Sequence, residues 1–371
     1  MNYRKLIIIS ILFSLTPAHA QHLSTARPDS HAPISVMGDH LHKKGEVMFS
    51  YRYMGMDMSM GGMGHEESHD DMAIMEPGIE EHSADDHSMD MTDTDHLHDV
   101  TKAHNGVDHS DEFTTLTDKH TMSMEMHMLE AMYGLSDDTS VMAMLPFWRN
   151  QMDHGAHGAT DEGSLITRNE GMGDLSLSVM QSIYQENAQR IHLTAGMSLP
   201  TGDIKNTDIY HNGETRHPYM MTIGSGTFDF LPGVTYVGQS EDFSWGAQAQ
   251  SVIRIGRNSE DYSLGNRYKT TGWGAWRISR WVSISSRLTG DFWQDVDGMD
   301  DKITITSMMA DPKSQAGRVL EAGIGFNIFV PEGALKGHRF GIEVGFPVTQ
   351  DNDAGYGDQD WSLTAGWQKS F

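Results

Sequence analysis

Apolar and polar side chains alternate along most of the chain, in segments of about ten residues. In the first such segment, Val47, Phe49 and Tyr51 are separated by Met48 and Ser50. A period of two residues is typical of a β-strand whose two faces meet different surroundings. The alternation predicts about twelve strands, at residues 45–54, 120–133, 139–150, 172–184, 190–201, 226–238, 242–256, 266–280, 281–294, 316–330, 338–350 and 359–371.

The connections between these segments alternate between short and long. Short turns lie at 136–138, 185–189, 239–241, near 280 and at 331–337, and longer loops at 55–119, 150–171, 202–225, 257–265, 295–315 and 351–358. Bacterial outer-membrane barrels share this asymmetry, with short periplasmic turns, longer external loops and an even strand count. We therefore predict an all-β fold, an antiparallel transmembrane β-barrel of about twelve strands. The even count places both termini in the periplasm and makes 55–119 the first external loop.

The end of the chain and its aromatic residues also favour a barrel. One face of the last strand is apolar, and the chain ends on Phe371; that face carries Trp361, Leu363, Ala365 and Trp367. This ending resembles the signal by which the barrel-assembly machinery recognises outer-membrane barrels; Thr364 and Gly366 fit it, and Lys369 departs from it. Aromatics near strand ends fit interfacial girdles, at Phe147, Trp148, Trp245, Trp273, Trp276, Trp281, Phe292 and Trp293. The alternative is a soluble β-sandwich, in which these side chains would form the core.

The N-terminus has the pattern of a secretory signal. Arg4 and Lys5 precede a short apolar stretch at 6–15, and Ala18 and Ala20 form an A-x-A cleavage site. We expect a signal peptide at 1–20, a periplasmic segment at 21–44 and an outer-membrane barrel at 45–371. No later stretch approaches the roughly 20 apolar residues of a transmembrane helix, so we expect the chain to enter the membrane as a barrel.

Methionine, histidine and acidic residues dominate the predicted loop. The chain holds 28 methionines, 21 histidines and no cysteine, and its formal net charge is -26. The lack of cysteine excludes disulfides and thiolate metal sites, and a basic stripe for nucleic acid is absent. Thioether and imidazole groups bind soft and borderline transition metals. The candidate metal ligands are Met54, Met56, Met58, Met60, Met63, His65, His69, His82, His87, His96, His98, His104, His109, His154 and His157.

The alternating methionines at the start of this run favour copper. The sulfur atoms of Met54, Met56, Met58 and Met60 share one face if the strand continues, and they can converge on one ion if it does not. Thioethers prefer Cu(I), whereas the close histidine pairs suit Cu(II), with zinc or nickel as alternatives. We expect copper as the bound metal and no organic cofactor. The alternative is a hydrophilic, disordered loop, because high charge and few aromatics prevent collapse.

Polar faces of the predicted strands supply a candidate lumen lining of mixed charge. It comprises Glu46, Arg52, Glu125, His127, Asp174, His192, Asp229, Arg254, Arg287, Asp291, Glu321, Arg339 and Glu343. Methionines at 122, 124, 126 and 128 occupy the face opposite Glu125 and His127. We predict that these methionines face lipid or packing surface, since methionine is an adaptable apolar side chain. The alternative is a methionine ladder that leads from the loop to the lumen.

Several short motifs resemble a known family. Gly171-Met172-Gly173-Asp174 opens one strand, Leu199-Pro200-Thr201-Gly202-Asp203 closes the next, and Gly224-Ser225-Gly226 precedes a third. Their spacing resembles the outer-membrane transporter family linked to the meta-pathway of phenol degradation. The segments 31–40 and 44–54 resemble a Met/His-rich branch of such barrels. The resemblance implies a secreted barrel and small-molecule passage, but no established substrate. From the residues themselves we predict a structural role for the motifs, with Asp174 and Asp203 capping turns.

These observations leave three hypotheses of function. The first is metal handling, in which the loop captures copper and the barrel anchors it or conducts ions. The second is a channel for small organic solutes, aromatic or hydrophobic, with the loop only a hydrophilic surface. The third is a structural surface protein. We expect no enzymatic activity, because the chain lacks Gly-x-Ser-x-Gly and P-loop motifs. The expected partners are outer-membrane lipid, the assembly machinery, and metal ions or small solutes.

Overall fold

A computed structural model describes residues 23–60, 120–154, 165–210, 213–305 and 307–371. Twelve long antiparallel strands form a closed barrel in this part of the chain. Their bounds are β1 Val47–Met60, β2 His120–Gly134, β3 Thr139–Asp153, β4 Leu175–Glu186, β5 Gln189–Leu199, β6 Phe228–Gln239, β7 Phe243–Ile255, β8 Arg267–Arg277, β9 Val282–Trp293, β10 Gly317–Phe329, β11 His338–Asn352 and β12 Asp358–Ser370. The predicted fold class is confirmed.

Shorter elements decorate the barrel beyond these strands. Ile166–Met172 pairs with the second half of β3 and leads into β4. Two-stranded ladders join Thr207–Tyr210 to Gly213–Arg216, and Tyr262–Ser263 to Asp297–Gly298. Three single-turn 3-10 helices are described, at Tyr219–Met221, Met308–Ala310 and Pro312–Ser314. No helix in the described ranges is long and apolar enough to cross a membrane.

The barrel closes between its first and last strands. Tyr51 of β1 pairs with Trp367 of β12 on one side and with Leu129 of β2 on the other. The backbones of Val47 and Phe371 hydrogen-bond to each other, so both termini of the wall lie at one end. Tight turns join the strands there, and we call it the turn end; the longer connections lie at the loop end. In outer-membrane barrels the turn end faces the periplasm.

The two faces of the wall differ as in a membrane barrel. On β9 the outward Leu288 and Phe292 are 49% and 46% exposed, while the inward Ser283 and Ser285 are 0% and 3% exposed. The same contrast recurs around the barrel, with outward apolar and inward polar residues. A soluble sandwich would bury its apolar face, so this inversion identifies the outer surface as lipid-facing.

Two details of the predicted wall are wrong. The first strand runs to Met60 rather than ending at 54, because small or polar residues (Gly55, Asp57, Ser59) continue its outward face. Trp148, Trp273 and Trp293 do not belong to an aromatic girdle, because their positions face inward. Trp273 and Trp293 are each only 7% exposed. The other predicted girdle aromatics on the strands, Phe147, Trp245, Trp276 and Phe292, do lie on outward positions.

A buried ion pair in the lumen links β1 to β2. Arg52 and Glu130 are paired with both side chains 1% exposed, and Arg52 Nε donates to the Ile34 carbonyl. Removing one member of a buried pair leaves the other charge uncompensated, at a cost of about 3–5 kcal/mol. We expect Arg52→Met to lower the free energy of unfolding by this amount, measured by urea titration in lipid vesicles.

The matched control is Arg318→Met, which breaks an exposed pair with Asp351 whose side chains are 69% and 70% exposed. Exposed pairs contribute about 0–1 kcal/mol. Equal losses in the two variants would contradict the assignment of Arg52 as a buried anchor of the wall.

Candidate functional site: a methionine-lined lumen between a plug and an outer cap

Methionine side chains cover one side of the barrel interior. They belong to alternate residues of β1 to β4, and we call this surface the methionine wall: Met48, Met54, Met56, Met58, Met60, Met122, Met124, Met126, Met128, Met132, Met142, Met144, Met152 and Met180. The strand register keeps the sulfur-bearing faces together, with Met54 opposite Met126 and Met58 opposite Met122. Because the strand continues to Met60, Met54, Met56, Met58 and Met60 share one face, which is the first of the two arrangements left open by the sequence.

The lipid-facing position predicted for the β2 methionines is wrong, because Met122, Met126 and Met128 point inward and are 1–6% exposed. Glu125 and His127 consequently occupy the outward face. There the Tyr53 hydroxyl donates to Glu125, and Tyr51 bonds His127. Glu130 lies on the same face of β2 as the methionines and pairs with the inward Arg52. This ion pair fixes which face of β2 points into the lumen.

Most of the remaining lumen candidates do lie inside. Arg287 donates to Glu343 over 2.6 Å and also contacts Glu321. Arg267 forms a two-pronged pair with Asp291, at 2.8 Å for each bond. Together with the Asp229–Arg254 pair, these groups form a charged wall on β6 to β11, across the lumen from the methionine wall. Asp174, His192 and Arg339 also face the interior, and Glu46 lies at its turn end.

The segment before β1 fills the turn end of the barrel. We call residues 23–46 the plug, because its backbone is bonded by inward side chains from strands all around the wall. Arg52 holds the Ile34 carbonyl, His192 the Gly38 carbonyl at 3.0 Å, and Gln248 the Met37 carbonyl at 3.0 Å. The two hollows along the plug measure about 40 and 10 Å³, which is room for little more than water. The sequence did not predict that this segment enters the lumen.

Histidines of the plug are held in a low-dielectric setting. Burial lowers the pKa of His31 well below its usual range, and the nearby Arg339 guanidinium lowers it further. Burial also lowers the pKa of His42. The hydrogen bond from His42 lowers the pKa of Glu46 to about 2. At neutral pH His31 and His42 are therefore uncharged, and the Glu46 carboxylate is ionised.

The loop end is covered by two segments that fold inward, at 217–225 and 307–316. We call them the outer cap. Met221 of the cap is fully buried, and its carbonyl accepts hydrogen bonds from the Asn150 and Asn169 amides at 3.4 and 2.9 Å. Trp293 Nε1 donates to the Gln315 carbonyl over 2.8 Å and ties the second segment to β9.

Thioether and imidazole groups come together beneath the outer cap. Met58, Met60, Met122, Met152, Met220, Met221 and Met309 form one buried cluster, which we call the loop-end methionine cluster. The Met221 sulfur lies 3.8 Å from the Thr167 hydroxyl and 3.9 Å from that of Tyr210. The same Thr167 contacts His154, whose ring meets His120 at 5.4 Å between centroids.

Of the predicted metal ligands, Met54, Met56, Met58 and Met60 lie on the methionine wall, and His154 is 4% exposed beside the cluster. The other predicted ligands lie outside the described residues: Met63, His65, His69, His82, His87, His96, His98, His104, His109 and His157. Met60, the last described residue before 61–119, belongs to this cluster, and His120, the first described residue after it, contacts the His154 ring.

The short glycine motifs meet at one point next to the cap. Asp174 accepts hydrogen bonds from the Gly202 amide at 2.9 Å and the Ser225 amide at 2.8 Å. A Cβ on Gly202 would lie 2.7 Å from the Gly224 backbone, so the close approach requires glycine. Asp203 accepts from the Lys205 amide at 2.7 Å. Asp203 thus caps its turn, as the sequence predicts, whereas Asp174 bonds amides that lie 28 and 51 residues away along the chain.

A cavity of about 480 Å³ remains between the plug and the outer cap. Its apolar lining includes Met126, Met144, Trp148 and Leu231, and its polar lining includes the Asp229–Arg254 pair. Its size falls in the range of about 300–1,000 Å³ that is typical of small-molecule sites. A larger hollow of about 650 Å³ lies on the outer face among Phe49, Tyr133 and Leu177, where the wall contacts lipid.

Comparison with known proteins supports the fold. No protein-family model matches the chain, and no curated protein matches it in sequence. A crystal structure of an outer-membrane channel from Pseudomonas putida F1 superposes with a TM-score of 0.57 at 12% identity, over 91% of this chain and 99% of that one. The translocator domain of the autotransporter NalP from Neisseria meningitidis gives a TM-score of 0.42 at 8% identity, over 91% and 92% of the two chains. The chain therefore has the fold of an outer-membrane channel, while its place in the phenol-pathway family and in a Met/His-rich branch stays a prediction.

The contacts between the plug and the wall predict that the plug limits flow through the barrel. Deleting 23–42 removes the groups that fill the turn end, and we expect the single-channel conductance to rise several-fold in planar bilayers. An unchanged conductance in a variant that still migrates as a folded, heat-modifiable barrel would show that the plug does not set the constriction.

Proposed function

We propose that the protein is an outer-membrane channel that carries small organic solutes through the methionine-lined lumen. The observation that carries this proposal is the cavity of about 480 Å³ between plug and cap. A closed barrel of the outer-membrane type supplies the passage across the lipid. The outer cap and the plug stand at its two ends, so a solute that crosses has to displace parts of both.

The lining indicates the class of solute. Methionine sulfurs and methyl groups, together with Trp148 and Leu231, offer an adaptable apolar surface. On the opposite side, Arg254 is paired with Asp229 and Arg267 lines the cavity. An aromatic molecule with one polar or anionic group matches both sides, because its ring contacts the methionines while the group accepts hydrogen bonds from arginine.

Filling the cavity tests this proposal. Leu231→Trp adds bulk to the lining, and we expect it to reduce several-fold the uptake of phenol and benzoate into liposomes. The matched control is Leu288→Trp on the lipid-facing side, where the native side chain is 49% exposed and uptake is expected to stay unchanged. If uptake persists after 63–112 is deleted, solute passage depends on the barrel and not on the loop. Equal uptake in both tryptophan variants would rule out passage through this cavity.

A second candidate function is the handling of soft metal ions, and the methionine wall favours it. Thioether sulfur prefers Cu(I) among biological cations. The wall begins at the loop-end methionine cluster, which contains Met60, the last described residue before 61–119 of the Met/His-rich loop. In this proposal the loop captures copper, with zinc or nickel as alternatives, and the wall passes Cu(I) along the lumen by exchange between neighbouring sulfurs.

Replacing methionine with leucine removes the sulfur atom but keeps the apolar volume, because Met and Leu are similar in size. We expect the combined change of Met58, Met122, Met152 and Met221 to leucine to slow Cu(I) entry into liposomes several-fold and to spare phenol uptake. The control changes the exposed residues Met172, Met197 and Met299 to leucine. If the two sets affect Cu(I) entry alike, the wall has no role in copper passage. Deleting 63–112 is expected to lower the copper bound at equilibrium, and a variant that binds as much as the parent would refute capture by the loop.

A further inference from the structure

Three histidines and an aspartate of the plug lie together inside the barrel. The ligand atoms of His31, Asp39 and His40 are all within 4.8 Å of one another. The rings of His31 and His40 are 3.9 Å apart between centroids, and His40 also approaches His42. Asp39, His40 and His42 are each no more than 9% exposed. None of these residues stands among the metal ligands that the sequence predicts.

Two ring nitrogens of this group, His40 Nε2 and His42 Nε2, face each other. His40 Nδ1 lies 2.8 Å from Asp39 Oδ1, and His42 Nδ1 lies 3.4 Å from Glu46 Oε2. An ionised carboxylate only accepts, so the 2.8 Å contact places a hydrogen on His40 Nδ1 and turns His40 Nε2 toward His42. The two Nε2 atoms are 3.2 Å apart. Two ring nitrogens at this distance share either a proton or a metal ion, because bare lone pairs would repel.

The carboxylates beside the imidazoles and the unpartnered Nδ1 of His31 also suit a metal. Metal-bound imidazoles usually donate their other N–H to a carboxylate, which fixes the ring and raises its basicity. Asp39 is placed to do this for His40 at 2.8 Å, and the Glu46 carboxylate lies 3.4 Å from His42 Nδ1. His31 Nδ1 is buried and has no hydrogen-bond partner among the described residues. Two tetrahedral ligands at about 2.0–2.1 Å from a zinc ion would be separated by nearly the observed nitrogen–nitrogen distance.

We propose that the plug binds one borderline transition-metal ion, Cu²⁺ or Zn²⁺, through His40 Nε2 and His42 Nε2, with His31 completing the site. Imidazole nitrogen suits both ions. The carboxylates of Asp39 and Glu46 balance the charge of the ion. The nearby Arg339 guanidinium is engaged with the Arg27 and Thr25 carbonyls and with Ser30.

The ion would close the turn that docks the plug. All of its ligands come from residues 31–42, and Asp39 Oδ2 already accepts from the Ala32 amide over 2.8 Å to close the same turn. The flanking backbone is fastened to the wall, because the His42 amide donates to Ser140 and His192 holds the Gly38 carbonyl. Metal at this point therefore stabilises the closed turn end. Metal binding at the plug does not depend on which solute the channel carries.

Copper-directed oxidation can locate the ion in the full chain despite the histidines of the loop. With Cu²⁺, ascorbate and hydrogen peroxide, radicals formed at the bound ion oxidise its ligands, and tryptic peptides identify them. We expect oxidised histidine in the peptide that ends at Lys43, suppressed by excess Zn²⁺ but not by Mg²⁺. We expect this signal to disappear in the His40→Gln/His42→Gln variant and to remain in His127→Gln, whose ring lies on the outward face. Oxidation confined to 61–119, or unchanged in the double variant, would overturn the proposal.

A second measurement covers the case in which the double variant folds poorly. In the unmodified protein, Zn²⁺ is expected to slow amide hydrogen exchange at 31–42 several-fold, while Mg²⁺ has no effect. Identical exchange with and without Zn²⁺ would mean that a shared proton, rather than a metal, separates the two imidazole nitrogens, and the metal site would be rejected. Conductance and solute uptake are measured separately, so failure of the site is distinguishable from failure of the channel.

Discussion

Closure of the backbone hydrogen bonds around the wall is the constraint on which the rest of the structure depends. In lipid an unpaired amide or carbonyl costs several kcal/mol, so a sheet can cross only if its first strand pairs with its last. The pairing of β1 with β12 achieves this, from Met48 opposite Ser370 to Ser59 opposite Asp358. Once the register is set, every second side chain must face the lumen. The inward position of Arg52 then requires Met54, Met56, Met58 and Met60 to face inward as well.

The lumen has two chemically different sides. The methionine wall is polarisable, adaptable and uncharged, whereas the charged wall is cross-linked by arginine–carboxylate pairs such as Arg287 with Glu343. Buried charges are tolerated there because each finds a partner. The volume of the cavity between the two walls suits an organic solute, and the methionine sulfurs of its lining suit a soft metal ion. The two proposed functions therefore use the same surface, and the Met-to-Leu substitutions distinguish them because they remove sulfur without removing apolar volume.

Both ends of the lumen are controlled by irregular segments that are held through side chains. At the loop end, Asp174 gathers the glycine motifs through hydrogen bonds to Gly202 and Ser225. At the turn end, the plug offers its carbonyls to Arg52, His192 and Gln248. Apolar burial reinforces these polar contacts at both ends, since Met221 and Met309 of the cap and Leu41 of the plug are buried in methionine clusters. A metal at His40 and His42 would add to the stability of the turn end alone.

The sequence determined the strands and favoured a barrel over a sandwich, because a two-residue period, turn chemistry and alternating loop lengths can be read along the chain. It also identified most of the charged lining, such as Arg287 and Glu343, since a charge avoids lipid wherever its strand lies. The orientation predicted for β2 is wrong. Glu125 and His127 lie on one face of this strand and Glu130 on the other, so polar residues alone do not decide which face points into the lumen. Only the pairing of Glu130 with Arg52 of the neighbouring strand decides between the faces. Tertiary structure alone placed the plug, because its partners lie up to 314 residues away, as for Thr25 and Arg339, and irregular backbone leaves no periodic signal of where it will dock.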